Sequence, residues 1–279
     1  MAGETKAVCV IGWPVEHSRS PLIHNYWIKE FGLNAQYRRE AVPPDEFAAF
    51  AAQLAARGYV GANVTVPHKE AALAASEPDG LARTIGAVNT LWLQDGTLRS
   101  TNTDVDGFLG NLDASVPLWD RALQSALVLG AGGAARSIVF GLIQRGAARI
   151  HVANRSFERA VALRESFGPR VEPLRWEEAD ALLPQVDLLV NATALGMIGQ
   201  PPLDIALDRL PARAVVADIV YAPLQTPLLK AARARGRRTA DGLGMLLHQA
   251  VGGFERWFGL RPQVTEGLRR LVEADLMRR

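Results

Sequence analysis

The sequence holds one cysteine, Cys9. No internal disulfide can form, and a reducing compartment fits. Cys9 lies in the apolar run "AVCVIG", the setting of a buried, inert thiol rather than of a nucleophile. Lysine is also scarce: Lys6, Lys29, Lys69 and Lys230 are the only four among 31 Lys plus Arg. The net charge is only +2, and the basic residues are scattered among acids. That excludes the clustered positive patch of a nucleic-acid binder. No apolar run approaches the roughly 18 residues of a membrane helix, and "MAGETK" lacks a signal peptide's hydrophobic stretch. The expectation is a soluble cytoplasmic protein with no membrane or nucleic-acid partner. Repeats and low-complexity tracts are absent.

What is present is a chain of 279 residues, 48% hydrophobic, enough to bury a full core in one or two domains. β-like runs alternate with helical patterns. "AVCVIG" (7–12) reads as a buried strand. "PLIHNYWIKEF" (21–31) reads as a helix with Pro21 at its start and Gly32 after its end. The segment 45–58 places Phe47, Phe50, Ala51 and Leu54 on one helical face. Residues 59–66 form a second strand, and 87–104 a hairpin turning at Asp95-Gly96. The second half starts with strand, glycine turn and helix over 125–146. Further strands follow at 148–156, 186–193, 214–221 and, shorter, 237–242. Such alternation predicts an α/β protein with a parallel, doubly wound sheet. A final helix carries an apolar stripe of Leu243, Leu246, Leu247, Ala250, Val251, Phe254 and Phe258. It can cross back onto the first half, making that domain discontinuous. The boundary is expected within 105–122, where "DASVPLWDR" breaks the pattern.

"LVLGAGGAA" carries G-x-G-x-x-A at Gly130, Gly132 and Ala135. The spacing alone is weak, but here it stands between a strand and a helix, as dinucleotide binding requires. The first glycine turns the chain, the second lets backbone N–H groups approach a pyrophosphate, and the small third residue allows close packing. The helix N-terminus then favours the anion. An NAD site places Asp or Glu at the end of the second strand to accept from the ribose 2′-OH. Here Asn154 and Arg155 occupy that position and Arg159 follows. Guanidinium groups suit a 2′-phosphate, so NADP is the expected cofactor. The same two arginines also fit a plain solvated surface pair.

Substrate contacts are then expected from strand ends and loops of the first half. In "GWPVEHSRSP" (12–21), Ser18 and Ser20 precede a helix, where hydroxyls and the helix dipole together favour a carboxylate. Ser20 as a simple helix N-cap fits the local pattern equally well. Lys69 follows the strand "NVTV" and Pro67. Ketone reduction needs a proton donor beside the developing alkoxide, and Lys can give a proton where Arg effectively cannot. In so Arg-biased a chain, chemistry explains Lys69; a surviving surface lysine is the competing explanation. Asp104, in "TNTD" at a strand end, is placed to orient the ammonium.

The motifs "GWPVEHSRSP", "NVTVPHKE", "GAVNT", "NTD", "GAGGAAR", "NRS", "NATALGM", "TPLL" and "DGLGMLLHQA", in this order over nearly the whole chain, resemble those of the shikimate dehydrogenases. The resemblance implies an N-terminal α/β substrate domain over 1–106, completed by C-terminal helices over about 243–279. A Rossmann-type NADP-binding domain would span 107–242, with the active-site cleft between the two. It implies reversible, NADP-dependent reduction of 3-dehydroshikimate to shikimate in aromatic amino-acid biosynthesis. Lys69 and Asp104 match the catalytic pair. Ser18 and Ser20 match the carboxylate-binding serines. Asn63, Thr65, Asn89, Asp104 and Gln249 match groups around the ring hydroxyls, and Tyr221 a tyrosine lining the substrate site. Gly130, Ala131, Gly132, Gly133 and Ala134 match the phosphate loop, and Asn154, Arg155 and Arg159 the 2′-phosphate site. Ile219, Gly242 and Met245 flank the nicotinamide in such a scheme. His68 stands where other members often carry an aromatic residue and reads as wall. The remaining histidines (17, 24, 151, 248) lack metal-ligand spacing, so no metal is implied. Asp106 acquires no role, and the chain acts as a monomer or homodimer. The related alternative is a quinate or dual-specificity quinate/shikimate dehydrogenase, which a carboxylate at 155 and a bulkier hydroxyl at 18 or 20 would favour. A non-catalytic nucleotide sensor would lack the Lys/Asp pair. A methylene-tetrahydrofolate dehydrogenase would not explain the Ser-x-Ser loop.

Overall fold

A computed structural model of the protein describes residues 5–278. The chain divides into two units: residues up to Asp104 with Leu247–Asp275, and, in the main, Val105–Leu246.

In chain order the first unit contains β1 (Lys6–Gly12), α1 (Ser20–Glu30), β2 (Ala35–Ala41), α2 (Phe47–Ala52), β3 (Tyr59–Val64) and α3 (Lys69–Ala74). The two-residue β4 (Glu77–Pro78), α4 (Gly80–Ile85), β5 (Thr90–Gln94) and β6 (Thr97–Thr101) follow. The sheet order is β2-β1-β3-β5-β6-β4. β1 pairs in parallel with β2 and β3, whereas the β3–β5 and β5–β6 pairs are antiparallel. β1 is buried on both faces, which explains its unbroken apolar run. Ala7, Cys9 and Ile11 join Phe47, Phe50, Ala51 and Leu54 in one core cluster. Val8 and Val10 are buried on the alternate positions. The β5–β6 hairpin turns through Asp95 (φ 51°) and Gly96 (φ 76°), the paired positive φ that Asp-Gly supplies. β2 was not expected. Its sequence AQYRREA carries three consecutive charges, because it forms an edge of the sheet and only Tyr37 is fully buried.

α5 (Asp104–Ser115) carries the chain into the second unit. There β7 (Ser125–Leu129), α6 (Gly133–Gln144), β8 (Arg149–Asn154), α7 (Phe157–Phe167), β9 (Val171–Arg175), α8 (Ala179–Leu182), β10 (Leu188–Asn191), β11 (Val215–Asp218), α9 (Pro227–Ala234) and β12 (Arg238–Ala240) succeed one another. The sheet order β12-β11-β10-β7-β8-β9 is parallel throughout. Relative to β7, this is the doubly wound dinucleotide-binding order, whose strand sequence reverses between β7 and β10. β9 escaped sequence reading because "VEPLR" holds one buried residue and a proline, as an edge strand tolerates.

α10 (Gly242–Phe258) begins in the second unit and ends in the first, where α11 (Glu266–Leu276) follows. Of the expected apolar stripe, Leu243, Leu247, Ala250, Val251 and Phe254 are buried; Leu246 and Phe258 are half-buried. In the first unit Trp257 lies against Gly61, where any side chain would collide with its indole. Its Nε1 donates to the Leu91 carbonyl at 2.8 Å. Among the described residues no helix is long and apolar enough to cross a membrane.

Candidate active site and cofactor site

In the first unit, Lys69 opens α3 and Asp104 opens α5. Thirty-five residues apart, they form a hydrogen-bonded ion pair through Nζ and Oδ2. Their side chains are only 15% and 7% exposed. The lysine backbone is fixed as well, its carbonyl accepting from Val88 N at 3.0 Å. Asn89 Nδ2 donates to the other carboxylate oxygen, Oδ1, at 2.8 Å, and to Thr103 Oγ1 at 3.0 Å and Gln249 Oε1 at 3.3 Å. Asn89 Oδ1 accepts from Thr103 N at 2.8 Å and Thr90 Oγ1 at 3.0 Å. Asp104 N donates to Asn102 Oδ1 at 2.9 Å, which starts α5. Both carboxylate oxygens are therefore aimed by hydrogen bonds, and one ammonium donor is committed to Asp104. The remaining donors of Nζ can reach an oxygen brought against them.

Asn63 sits beside this cluster at the end of β3. Tyr37 donates to its Oδ1 at 2.7 Å, and its Nδ2 donates to the Asn89 carbonyl at 3.1 Å and to Thr90 Oγ1 at 3.2 Å. Every polar group of the Asn63 side chain is thus engaged by protein. Thr65 is half-buried, with its methyl packed where a side chain on Gly12 would stand.

The two serines divide their duties differently from the N-cap alternative. Arg19 occupies the N-cap position of α1, and Ser20 is the first helical residue. It is Ser18 whose Oγ accepts from Ser20 N, at 3.3 Å. Ser20 is buried against the Tyr37 phenol. Arg39 bonds the Ser18 carbonyl at 2.7 Å, and the buried Arg19 pairs with Asp275 of α11 at 2.6 Å, bracing the loop from both sides. Pattern reading could not find Arg19 or Asp275 as braces, since they lie at opposite ends of the chain.

His68 is buried, stacked on Phe47 at 4.7 Å, and its Nε2 bonds the Val42 carbonyl at 2.8 Å. Burial lowers its pKa, so it stays a neutral wall. His24 stacks on Tyr37 at 4.3 Å, and burial lowers it to about 3.

In the second unit, Gly130 follows β7 at φ 108°, where any side chain is strained. A Cβ there would stand 2.9 Å from the Ala192 carbonyl oxygen. Gly132 is the N-cap of α6, and a Cβ on it would meet no protein atom, so the space before the helix is open. Ala131, Gly133 and Ala134 complete the turn and are half-exposed. The first amides of α6 have no intrahelical acceptor and face that opening, as a pyrophosphate requires. Asn154 ends β8 and turns back to the Ser156 carbonyl at 2.9 Å. Arg155 and Arg159 are exposed, and neither has an ion-pair partner among the described residues. These features fit a phosphorylated dinucleotide.

Ile219 follows β11, and Gly242 presses so closely on its carbonyl that no side chain fits at 242. Met245 is buried and Tyr221 half-buried. The loop carrying Ile219 and Tyr221 is held by a residue the sequence reading passed over. Asp218 is buried and accepts from Thr226 Oγ1 at 2.7 Å, Asn191 Nδ2 at 2.9 Å and Val220 N at 3.0 Å. Burial raises its pKa to about 6, against those three hydrogen bonds. The available signal was an aspartate inside the apolar run "AVVADIVY".

Three family models match the chain: the shikimate dehydrogenase substrate binding domain over residues 10–91, shikimate / quinate 5-dehydrogenase over 117–199, and the shikimate 5′-dehydrogenase C-terminal domain over 242–272. A protein named shikimate dehydrogenase (NADP(+)) from Nitrobacter winogradskyi is 62% identical over 279 residues, covering 99% of this chain and 100% of its own. One of the same name from Nitrobacter hamburgensis is 63% identical over 278 residues, covering 99% of this chain and 97% of its own. The solved shikimate 5-dehydrogenase of Thermus thermophilus, in complex with NADP(H) and shikimate, has TM-score 0.84 and 36% identity over 98% of this chain and 99% of that one. Quinate dehydrogenase from Corynebacterium glutamicum, in complex with NAD, has TM-score 0.89 but 30% identity over 98% and 100%. Backbone shape is thus shared across substrates, and the high identities fall on one name. The chain belongs to the shikimate dehydrogenase family.

Proposed function

We propose that this protein catalyses the reversible, NADP-dependent reduction of 3-dehydroshikimate to shikimate, a step of aromatic amino-acid biosynthesis, in the cytoplasm. The observation that carries the chemistry is the Lys69–Asp104 pair held by Asn89. Residues 1–106 with 243–279 form the substrate domain in this reading, and 107–242 the NADP domain. Ser18 and Ser20 hold the substrate carboxylate. Asn63, Thr65, Asn89, Asp104 and Gln249 surround the ring hydroxyls, with Asn63 acting mainly by shaping the wall, since its polar groups are occupied, and Tyr221 lines the substrate site. NADPH, when bound, supplies the hydride that reduces the 3-keto carbon. Residues 130–134 would hold its pyrophosphate, Asn154, Arg155 and Arg159 its 2′-phosphate, and Ile219, Gly242 and Met245 its nicotinamide. As the ketone oxygen gains charge, the Lys69 ammonium gives it a proton; in the reverse direction the amine takes that proton back. Asp104 keeps Nζ oriented and accepts from a neighbouring substrate hydroxyl.

The test is an absorbance assay at the NADPH band with shikimate and quinate, each offered with NADP and with NAD. Turnover is expected with shikimate and NADP. Faster turnover of quinate would overturn the substrate assignment, and preference for NAD the cofactor assignment.

A further inference from the structure

Beyond the turn after β8, a third arginine stands at the same level of the sheet. Arg175 is the last residue of β9, and the parallel register places it directly beside Asn154. Its guanidinium lies 4.9 Å from the centre of the Phe157 ring. Phe157 opens α7 midway between Arg155 and Arg159, two residues from each. Arg155 in the turn after β8, Arg159 on α7 and Arg175 at the end of β9 thus stand on three segments that border one turn. Acids are near in sequence, but they do not neutralise Arg175. Glu178 accepts from its backbone N–H at 2.9 Å, and no carboxylate pairs with its side chain among the described residues. Elsewhere in this unit Arg145, Arg149, Arg213 and Arg235 each face a carboxylate.

We infer that Arg175 is a further cofactor-specificity residue, completing with Arg155 and Arg159 a clamp for the 2′-phosphate of NADP. A guanidinium held against a ring by cation–π attraction uses none of its N–H donors there. The ring also restricts its rotamers, so less freedom is lost when a phosphate oxygen binds. At the tip of the edge strand, adjacent to the strand that carries Asn154, it approaches the 2′ position from the side opposite the glycine turn. NAD has only a hydroxyl there, so a residue acting on the phosphate discriminates between the cofactors, whereas one stacking on adenine does not.

The inference rests on the NADP reading above, and the experiment separates the two. Calorimetric titrations of wild type and Arg175→Ala with NADP, NAD and adenosine 2′,5′-bisphosphate need no turnover. Arg175 is exposed, so the variant is expected to fold. Arg175→Ala should bind NADP and the bisphosphate about fivefold more weakly, the worth of one exposed charge contact. NAD binding should change by less than about twofold, and the NADP deficit should shrink at high salt. Unchanged NADP binding, or equal losses for NADP and NAD, would overturn the inference while leaving the cofactor reading intact. A wild type that fails to prefer NADP would overturn both.

Discussion

Around Lys69 the polar side chains are engaged with one another and only ammonium donors are spare; around Arg155 the guanidiniums have no ion-pair partner among the described residues. In the first region, Asp104, Asn89, Thr103, Thr90 and Asn63 satisfy one another, and the single ion pair is nearly buried. In the second are the first amides of a helix and exposed arginines that have no ion-pair partner among the described residues. On the function proposed above, the contrast follows from what each site must do. A proton donor is effective only when its direction is set beforehand, so its neighbours are engaged with one another. A cofactor that must come and go carries its own charges, which can supply the missing partners. Disturbing the first region should therefore damage rate, and disturbing the second affinity.

The largest effect tests the preorganised side. Lys69→Arg and Lys69→Ala should each lose about 10²–10⁴-fold in kcat, because the arginine pKa is too high to cycle a proton near neutrality. Titration with NADP should remain normal. Asp104→Asn should fall in the same range, with the double variant little worse than the worse single. It should also melt lower, since it leaves a mostly buried ammonium without its counter-charge. A Lys69→Arg enzyme keeping more than about a third of the kcat would reduce Lys69 to an electrostatic clamp.

Next comes Asp218, a buried carboxyl with no ion-pair partner among the described residues, on the side otherwise described as open. Its raised pKa means that the folded protein holds this proton more tightly than the unfolded chain does. The associated stability is present at about pH 4 and lost as the pH rises through about 6. Asp218→Asn does not titrate there. Its stability relative to wild type should therefore improve by about 2–3 kcal/mol between pH 4 and pH 7.5. Denaturant melts at both pH values measure this, and a gap independent of pH would mean that Asp218 stays ionised throughout.

A smaller loss is expected for Arg155→Asp: about tenfold in NADP affinity, with NAD much less affected. Equal losses would remove the 2′-phosphate assignment. The smallest is Ser18→Ala. Its hydroxyl makes one long bond to Ser20 N at 3.3 Å, so the melting temperature should shift little. The shikimate KM should rise about fivefold, the worth of roughly 1 kcal/mol, and the NADP KM should hold. A lower melting temperature with normal shikimate KM would make the serines purely structural.

The central strands β1, β3, β7, β8, β10 and β11 were legible because burial on both faces writes itself as an apolar run. The edge strands β2 and β9 were not, for an edge accommodates Arg, Glu and Pro. The glycine turn was readable through its backbone requirement, and the Asp-Gly hairpin likewise. Lys69 stood out against an arginine-rich background. The mutual hydrogen bonding of Asn63, Asn89 and Thr103 and the brace of Arg19 on Asp275 carried no local signal, and Asp218 showed only as an acid inside an apolar run.

The sequence by itself determined the alternation of elements, the nucleotide turn and the residue types able to move a proton or bind a phosphate. These depend on chemistry and on neighbours within a few positions, which a linear reading sees. Only the tertiary structure decided that Ser18 rather than Ser20 bonds the start of α1, that Asn63 is fully engaged, and that Arg175 stands beside Asn154. Those outcomes depend on strand register and on contacts between segments distant in the chain, where burial and hydrogen-bond geometry select among partners that composition leaves equivalent.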